Sequence, residues 1–171
     1  MATGRFFPVQ TLHLGPTGSF ATFNEAALPL GGQLGMIVED AGKVYRLVKF
    51  DNGAGNVASV AGAAAYWKTR GSTLVTSDLT DQEAGVNSVA GGFLGVVTDL
   101  SYCFIQIGGA QSVSTAASVV AGDKLIGGGT ADGQLVRAAA ATAAPDIPVA
   151  IAYGSVSGGF TPVYWLLGIL L

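Results

Sequence analysis

The stretch LGMIVEDAGKVYRLVKF, residues 34–50, decides the fold class of this chain. Two apolar runs, residues 34–38 and 43–50, are separated by a short polar segment that ends in Gly42. A glycine at that point can adopt the positive φ angle that a tight turn between two strands needs. The stretch therefore predicts a β-hairpin, and short strands joined by glycine-containing turns become the expectation for the rest of the chain.

The same pattern continues along the sequence, in which 26 glycines separate short runs rich in Thr, Val and Ser. No long window has apolar residues at sustained helical spacing, and the Ala-rich residues 138–144 are too few for more than one helical turn. Further strands are predicted at residues 63–69, 73–77, 93–98, 101–107, 124–126, 134–138, 149–153 and 162–170, with glycine-rich breaks at 82–91 and 108–109. The sequence thus predicts an all-β fold, a single-domain β-sandwich or β-barrel of about ten short strands.

The first 32 residues differ from the remainder, because proline and glycine punctuate a run of aromatic and aliphatic residues in which Arg5 and Glu25 are the only charges. Such a segment is too apolar to remain disordered in water. We therefore expect an extended N-terminal arm, residues 1–32, that lies on its own domain or on a neighbour, and a β domain, residues 33–171. The large apolar residues of the arm are Phe6, Phe7, Leu12, Leu14, Phe20 and Phe23.

Charged residues are scarce: Lys and Arg number 8 and Asp and Glu number 11, which is 11% of the chain. An average soluble domain has about 25%. Contiguous apolar surface on a soluble protein usually marks an interaction site, and obligate interfaces resemble a core cut in half. The deficit predicts that the chain is a homo-oligomer that also buries surface against other protein.

Membrane and nucleic-acid partners are not expected. A spanning helix needs about 18 or more consecutive apolar residues, whereas the apolar residues 147–171 are interrupted by glycine, serine and proline. The N-terminal residues lack the long apolar run of a signal peptide, so we expect the protein to stay in the compartment where it is made. A net charge of −3 without clustered Lys and Arg argues against binding to DNA or RNA.

The sequence offers little for catalysis or metal binding. The single cysteine, Cys103, excludes an intrachain disulfide and a multi-cysteine zinc site, and its apolar surroundings indicate a buried small hydrophobe. The one histidine, His13, lies in the arm without a nearby partner for a hydrolase triad. Asp78, Asp81 and Glu83 could form at most a weak cation site, and solvated carboxylates are the favoured interpretation. We predict no enzyme activity, no cofactor and no metal.

Two pairs of adjacent aromatic residues, Tyr66 with Trp67 and Tyr164 with Trp165, stand within predicted strands. Successive side chains of a strand point to opposite faces, so one member of each pair should enter the core and the other should face outward. An outward aromatic is a suitable interface anchor, or a platform on which a sugar ring stacks. The candidate interface residues are Phe6, Phe7, Leu12, Leu14, Phe20, Phe23, Trp67, Tyr164 and Trp165.

Several stretches resemble a recurring group of small virion structural proteins of tailed bacteriophages, which includes capsid decoration (cement) proteins. These stretches are GKVYRLVK (42–49), AAYWK (64–68), GVV (95–97), YCFIQIGG (102–109), VAGDKL (120–125) and PVAIA (148–152). The similarity covers about residues 33–153. Its motifs belong to the β scaffold, and no catalytic residue comes with them.

The resemblance implies an all-β protein, often a homotrimer, that sits on the outer capsid surface where subunits of the major capsid protein meet. Its partners would be the major capsid protein and further copies of itself. It would be made in the host cytoplasm and located in the virion. An alternative function is a glycan-binding module, or a head-fibre or tail component of the virion, that uses exposed aromatic residues.

Overall fold

A computed structural model describes residues 33–69, 71–82, 88–128, 131–138 and 147–167. All regular secondary structure in these ranges is β, which confirms the predicted all-β fold. The predicted arm, residues 1–32, and most of the Ala-rich stretch 138–144 lie outside them. The strands are β1 (Ile37–Asp40), β2 (Lys43–Phe50), β3 (Ala64–Trp67), β4 (Leu74–Thr76), β5 (Val89–Phe93), β6 (Tyr102–Ser114), β7 (Lys124–Gly127), β8 (Leu135–Arg137), β9 (Ala150–Ala152) and β10 (Phe160–Trp165).

Five of the strands close into a barrel in the order β2, β4, β3, β5, β6 and back to β2. The β2–β4 pair is parallel, and the other four pairs are antiparallel. Strand β1 pairs with the first half of β2 and lies outside the closed ring. Of the two predicted architectures, the barrel is therefore the one that these strands form, with additional strands attached to it.

Strand β6 joins the barrel to a second sheet. It is 13 residues long, and its first half pairs with β2 and β5 while its second half pairs with β10. Strands β9, β7 and β8 continue from β10, all antiparallel. The second sheet thus has the order β6, β10, β9, β7, β8, and β6 belongs to both sheets.

The predicted hairpin of residues 34–50 is confirmed, although its first strand begins at Ile37 instead of residue 34. Asp40 and Lys43 form the last pair of the ladder. The two residues between them, Ala41 and Gly42, both have positive φ angles, of 49° and 74°. Two consecutive positive φ angles define the type I′ turn, whose twist matches that of the strands.

The glycine break predicted at residues 108–109 is wrong, and so is the end of the break predicted at residues 82–91, because these residues lie inside strands. Gly91 and Gly92 belong to β5, which covers Val89–Phe93 instead of the predicted 93–98. Gly108 and Gly109 lie in the middle of β6. A Cβ atom at Gly91 would lie 2.5 Å from the carbonyl oxygen of Gln106, and one at Gly109 would lie 2.7 Å from that of Gly42, so these glycines allow neighbouring backbones to approach closely and do not end the strands.

Among the residues that the structure describes, three clusters of buried side chains form the core. All five barrel strands contribute to one that fills the barrel, in which the rings of Phe50 and Phe93 meet edge to face with centroids 5.3 Å apart. A second cluster lies between the outside of β3 and β5 and the inner face of the second sheet, and it includes Tyr66 and Trp165. A third, smaller cluster covers the outer side of β2 and the first half of β6. Burying each large side chain contributes about 1.5–3 kcal/mol.

Candidate functional site: the outer face of the second sheet

Strand β10 alternates strictly between buried and outward side chains. Thr161, Val163 and Trp165 are buried, whereas Tyr164 on the opposite face is 49% exposed. This is the pattern of a strand with one face on a core. The second sheet therefore packs its inner face on the barrel and presents an outer face to its surroundings.

A continuous row of side chains crosses this outer face. Tyr164 stands opposite Ala110 of β6 on one side and opposite Ile151 of β9 on the other. Ile151 in turn stands opposite Lys124 of β7. Side chains directly opposite one another in a sheet are close enough to touch, so the row forms one connected surface over four strands.

The remaining outward positions of the second sheet are also mostly apolar. Among the strand positions that the structure describes on this side, Lys124 is the one that carries a charge. Such a surface, with an exposed aromatic residue near its middle, has the composition of a protein interaction site. We define the outer face by Ala110, Ser112, Ser114, Lys124, Ile126, Val136, Ile151, Phe160, Pro162 and Tyr164.

The two predicted aromatic pairs alternate in direction along their strands, but only the pair in β10 divides between core and surface, because Trp67 packs against the barrel cluster. Tyr66 is buried and its hydroxyl donates a hydrogen bond of 2.6 Å to the carbonyl of Gln134, and burial raises its pKa. Trp67 is half-buried, with the Arg46 guanidinium 5.7 Å from its ring centroid. Tyr164 is exposed.

Trp165 is one of the predicted interface residues, but the structure places it on the inner face of the second sheet. It is fully buried, and its indole Nε1 donates a hydrogen bond of 2.7 Å to Oε1 of Gln111. A partner cannot reach a side chain in this position, so the outward member of this pair is Tyr164. The six candidate residues of the arm, Phe6, Phe7, Leu12, Leu14, Phe20 and Phe23, lie outside the described residues.

The acidic residues singled out in the sequence are engaged in contacts that hold loops. Lys68 Nζ lies 2.9 Å from Asp51 Oδ2 and 2.6 Å from Asp81 Oδ2, so an ammonium group already stands between these carboxylates. The hydrogen bond to Asp81 is the main reason why the pKa of Lys68 is raised. Glu83 lies outside the described residues, and no group of three or more metal-ligating side chains occurs within them.

Asp78 is buried and fully used as a hydrogen-bond acceptor. Its Oδ1 accepts from the backbone N–H and the hydroxyl of Thr80, and its Oδ2 accepts from the N–H of Gly55. These bonds, that of the Thr80 side chain foremost, lower its pKa although burial acts in the opposite direction. Asp78 therefore ties two loops together as a carboxylate.

The remaining candidates for chemistry are a thiol and an imidazole. Cys103 is buried in the barrel, and burial raises the pKa of its thiol to about 12. A thiol with that pKa carries almost no thiolate at neutral pH, and the thiolate is the reactive form. His13 lies outside the described residues. None of the described residues forms a helix long and apolar enough to cross a membrane.

A groove of about 560 Å³ adjoins the outer face where β6 passes from the barrel to the second sheet. Its walls include Tyr153, which is 57% exposed, and Phe160, which is 39% exposed. Neither residue is among the candidates that the sequence suggests. The signal for Phe160 was its position four residues before Tyr164, which places it on the same side of one strand.

Comparisons with known proteins find similarity to solved structures but not to sequence families. No protein-family model matches the chain, and no curated protein sequence matches it. Among solved structures, it is similar to the crystal structure of the head fiber gp8.5 N base in bacteriophage phi29. The identity is 15%, the TM-score is 0.47, and the match covers 72% of this chain and 93% of that chain. Similarity at this level is not evidence of a shared function.

Proposed function

We propose that this chain is a structural protein of a bacteriophage virion that decorates the assembled capsid and docks on it through the outer face of the second sheet. The observation that carries the proposal is that face, on which an exposed tyrosine stands in an apolar row and Lys124 is the one charged strand residue described. The low charge of the whole chain, 11%, and the resemblance of residues 33–153 to small virion proteins support it.

The proposed mechanism is binding without chemistry. Burying an apolar face yields roughly 25 cal/mol per Å² removed from water, part of which offsets the entropy lost on docking. A protein that binds the assembled shell and not its dissociated subunits stabilises the shell by mass action, by about 2.7 kcal/mol per site at a hundredfold excess over the Kd. The partner in this proposal is the major capsid protein.

Self-association and the arm complete the proposal. A homotrimer would place several copies of the outer face around one axis, which raises the avidity for a repeating lattice. The arm, residues 1–32, would reach neighbouring subunits through its apolar residues. Deleting residues 1–32 should weaken attachment to capsids, and unchanged occupancy after the deletion would remove the arm from the proposal.

The decisive experiment is co-sedimentation of the purified chain with capsids from which it has been stripped. Replacing Tyr164 with Asp places a charge in the middle of the outer face, and we expect capsid binding to fall at least tenfold while the fold is retained. Val96→Asp is the matched control, because Val96 is 71% exposed but lies in the loop after β5. Circular dichroism and thermal unfolding check that both variants fold.

Three results would contradict the proposal. Loss of binding with Val96→Asp but not with Tyr164→Asp would place the interface elsewhere. A few copies per purified virion, instead of hundreds, would indicate a fibre or tail component. Absence of the chain from virions would refute a virion function altogether, and a native mass measurement decides separately between trimer and monomer.

A further inference from the structure

The groove beside the outer face has a buried acceptor at its base. Gln106 of β6 is fully buried and lines the groove. Its Nε2 donates hydrogen bonds of 3.0 Å to the carbonyls of both Gly108 and Ala110. These two acceptors fix the orientation of the amide, because the opposite orientation would set its oxygen against two carbonyl oxygens.

The other end of the same amide has no partner. No donor among the described residues reaches Oε1 of Gln106. A buried acceptor without a hydrogen bond costs about 1–3 kcal/mol, and native structures contain few of them. The nearby Gln111 is different, because its Nε2 donates to the carbonyl of Phe93 and its Oε1 accepts from Trp165. Gln106 is thus the amide that can still accept a hydrogen bond.

Two aromatic residues line the same groove. Tyr153 and Phe160 line the groove and keep a large part of their surfaces exposed. The Phe160 ring lies against Gly62, where an added Cβ atom would lie 3.0 Å from the ring. An aromatic wall offers an apolar face, and the tyrosine hydroxyl adds a polar end.

The charge of the groove and its length along the strand limit the class of ligand that it can bind. Among the described residues that line the groove, Lys43 is the one that carries a charge, which gives little to hold a phosphate or a nucleotide. The longest consecutive run of described residues that line it is Ala110–Ser112 of β6, a span of about 7 Å along a strand. That is too short for an added β-strand. The volume nonetheless falls within the range of small-molecule sites, about 300–1,000 Å³.

We infer that the groove binds a neutral sugar residue. One face of the sugar ring stacks on Tyr153 and Phe160. Because the oxygen of Gln106 is buried in the free chain, the groove walls must shift to admit a hydroxyl, which then donates its hydrogen bond to this oxygen. A sugar combines apolar C–H faces with many hydroxyl donors, which are the two properties that these walls and this base require. The inference does not depend on capsid binding, since it concerns the free chain.

The test is saturation-transfer NMR with the full chain and four neutral sugars, namely glucose, galactose, mannose and N-acetylglucosamine. We expect at least one of them to bind, and Tyr153→Ala to weaken that binding at least tenfold. Tyr153→Phe should retain most of the affinity, because the ring remains. Tyr164→Ala is the matched control and should leave sugar binding unchanged, because Tyr164 is similarly exposed but does not line the groove.

The outcomes separate this inference from the capsid proposal. Failure of all four sugars to bind would overturn it, as would binding that survives Tyr153→Ala or is lost equally with Tyr164→Ala. Gln106→Met keeps the volume and removes the acceptor. In a folded variant, as judged by circular dichroism, it should weaken binding at least fivefold, and unchanged affinity would contradict the role of Oε1. None of these results bears on co-sedimentation with capsids.

Discussion

The loops beside the barrel depend on a few charged side chains. Lys68 bridges Asp51 and Asp81, and Asp78 accepts hydrogen bonds from two separate segments. A Cβ atom at Gly53 would lie 2.7 Å from Oδ2 of Asp78, so the loop backbone is packed directly against this carboxylate. In a chain with so few charges, these residues stabilise loops that lack regular secondary structure.

Replacing Asp78 with Asn should therefore destabilise the protein by about 1–3 kcal/mol at pH 7. The amide keeps one acceptor for Thr80 but presents an N–H group to the N–H donor of Gly55. Urea unfolding at pH 7 measures the difference. Glu39→Gln is the matched control, since Glu39 is an exposed carboxylate in the hairpin, and its replacement should change the free energy of unfolding by less than about 0.5 kcal/mol.

The pH dependence of the same variant gives a second prediction. The pKa of Asp78 is lower in the folded protein than its ordinary value. Its carboxylate therefore stabilises the fold above the unfolded-state pKa of about 4, and this contribution is lost as the pH falls through the folded-state pKa. The stability gap between the native protein and Asp78→Asn should be widest near pH 7 and should narrow below pH 4. A gap that stays constant down to pH 2 would contradict the role of the carboxylate.

At the scale of elements, we infer a bend in β6 at Gly109, and this bend links the barrel to the second sheet. Gly109 has a φ angle of 82°, and a Cβ atom there would lie 2.7 Å from the carbonyl oxygen of Gly42. The neighbouring β2–β6 ladder shifts its register between Val44 and Tyr45. Positive φ and a register shift re-aim a strand, which allows β6 to leave the barrel and continue in the second sheet.

Gly109→Ala should consequently lower the free energy of unfolding more than Gly42→Ala does. Both glycines have positive φ, a conformation that costs an alanine roughly 1–2 kcal/mol, but a Cβ atom at Gly42 meets nothing within 4 Å. The clash at Gly109 should add at least about 1 kcal/mol. Chemical denaturation of both variants provides the comparison, and equal losses would mean that the bend tolerates a side chain.

At the scale of the whole molecule, the barrel and the second sheet share one strand and one core. Strand β6 pairs in both, and the cluster that contains Trp165 also contains Tyr66 and Val89 of the barrel. Neither half can lose its packing without exposing apolar surface of the other. Cooperative unfolding of the described strands is the expected consequence.

The two tryptophans allow a direct measurement of this cooperativity, because Trp67 lies in the barrel and Trp165 lies in the second sheet. Trp67→Phe leaves a reporter for the sheet, and Trp165→Phe leaves one for the barrel. In each variant, the urea midpoint from tryptophan fluorescence should coincide with the midpoint from circular dichroism. The Trp165→Phe midpoint should be lower overall, because Gln111 loses the indole donor. Separate transitions for the two signals would show that the halves unfold independently.

The sequence by itself determined the strand content, the hairpin turn and the opposite orientation of adjacent aromatic residues. These features depend on local rules: the alternation of side chains along a strand, and the positive φ angle that a glycine such as Gly42 accepts at low cost. For the same reason, the scarcity of charge indicated an interaction surface without showing where it lies.

Only the tertiary structure decided that Gly91, Gly92, Gly108 and Gly109 continue strands, that Trp165 faces inward and that Tyr164 faces outward. A glycine ends a strand or permits close packing depending on what lies opposite it, and here Val44 and the backbone of Gly42 lie opposite β6. The inward face of a strand is likewise set by the sheet packed against it. Both depend on contacts between residues far apart in the chain, which local patterns do not encode.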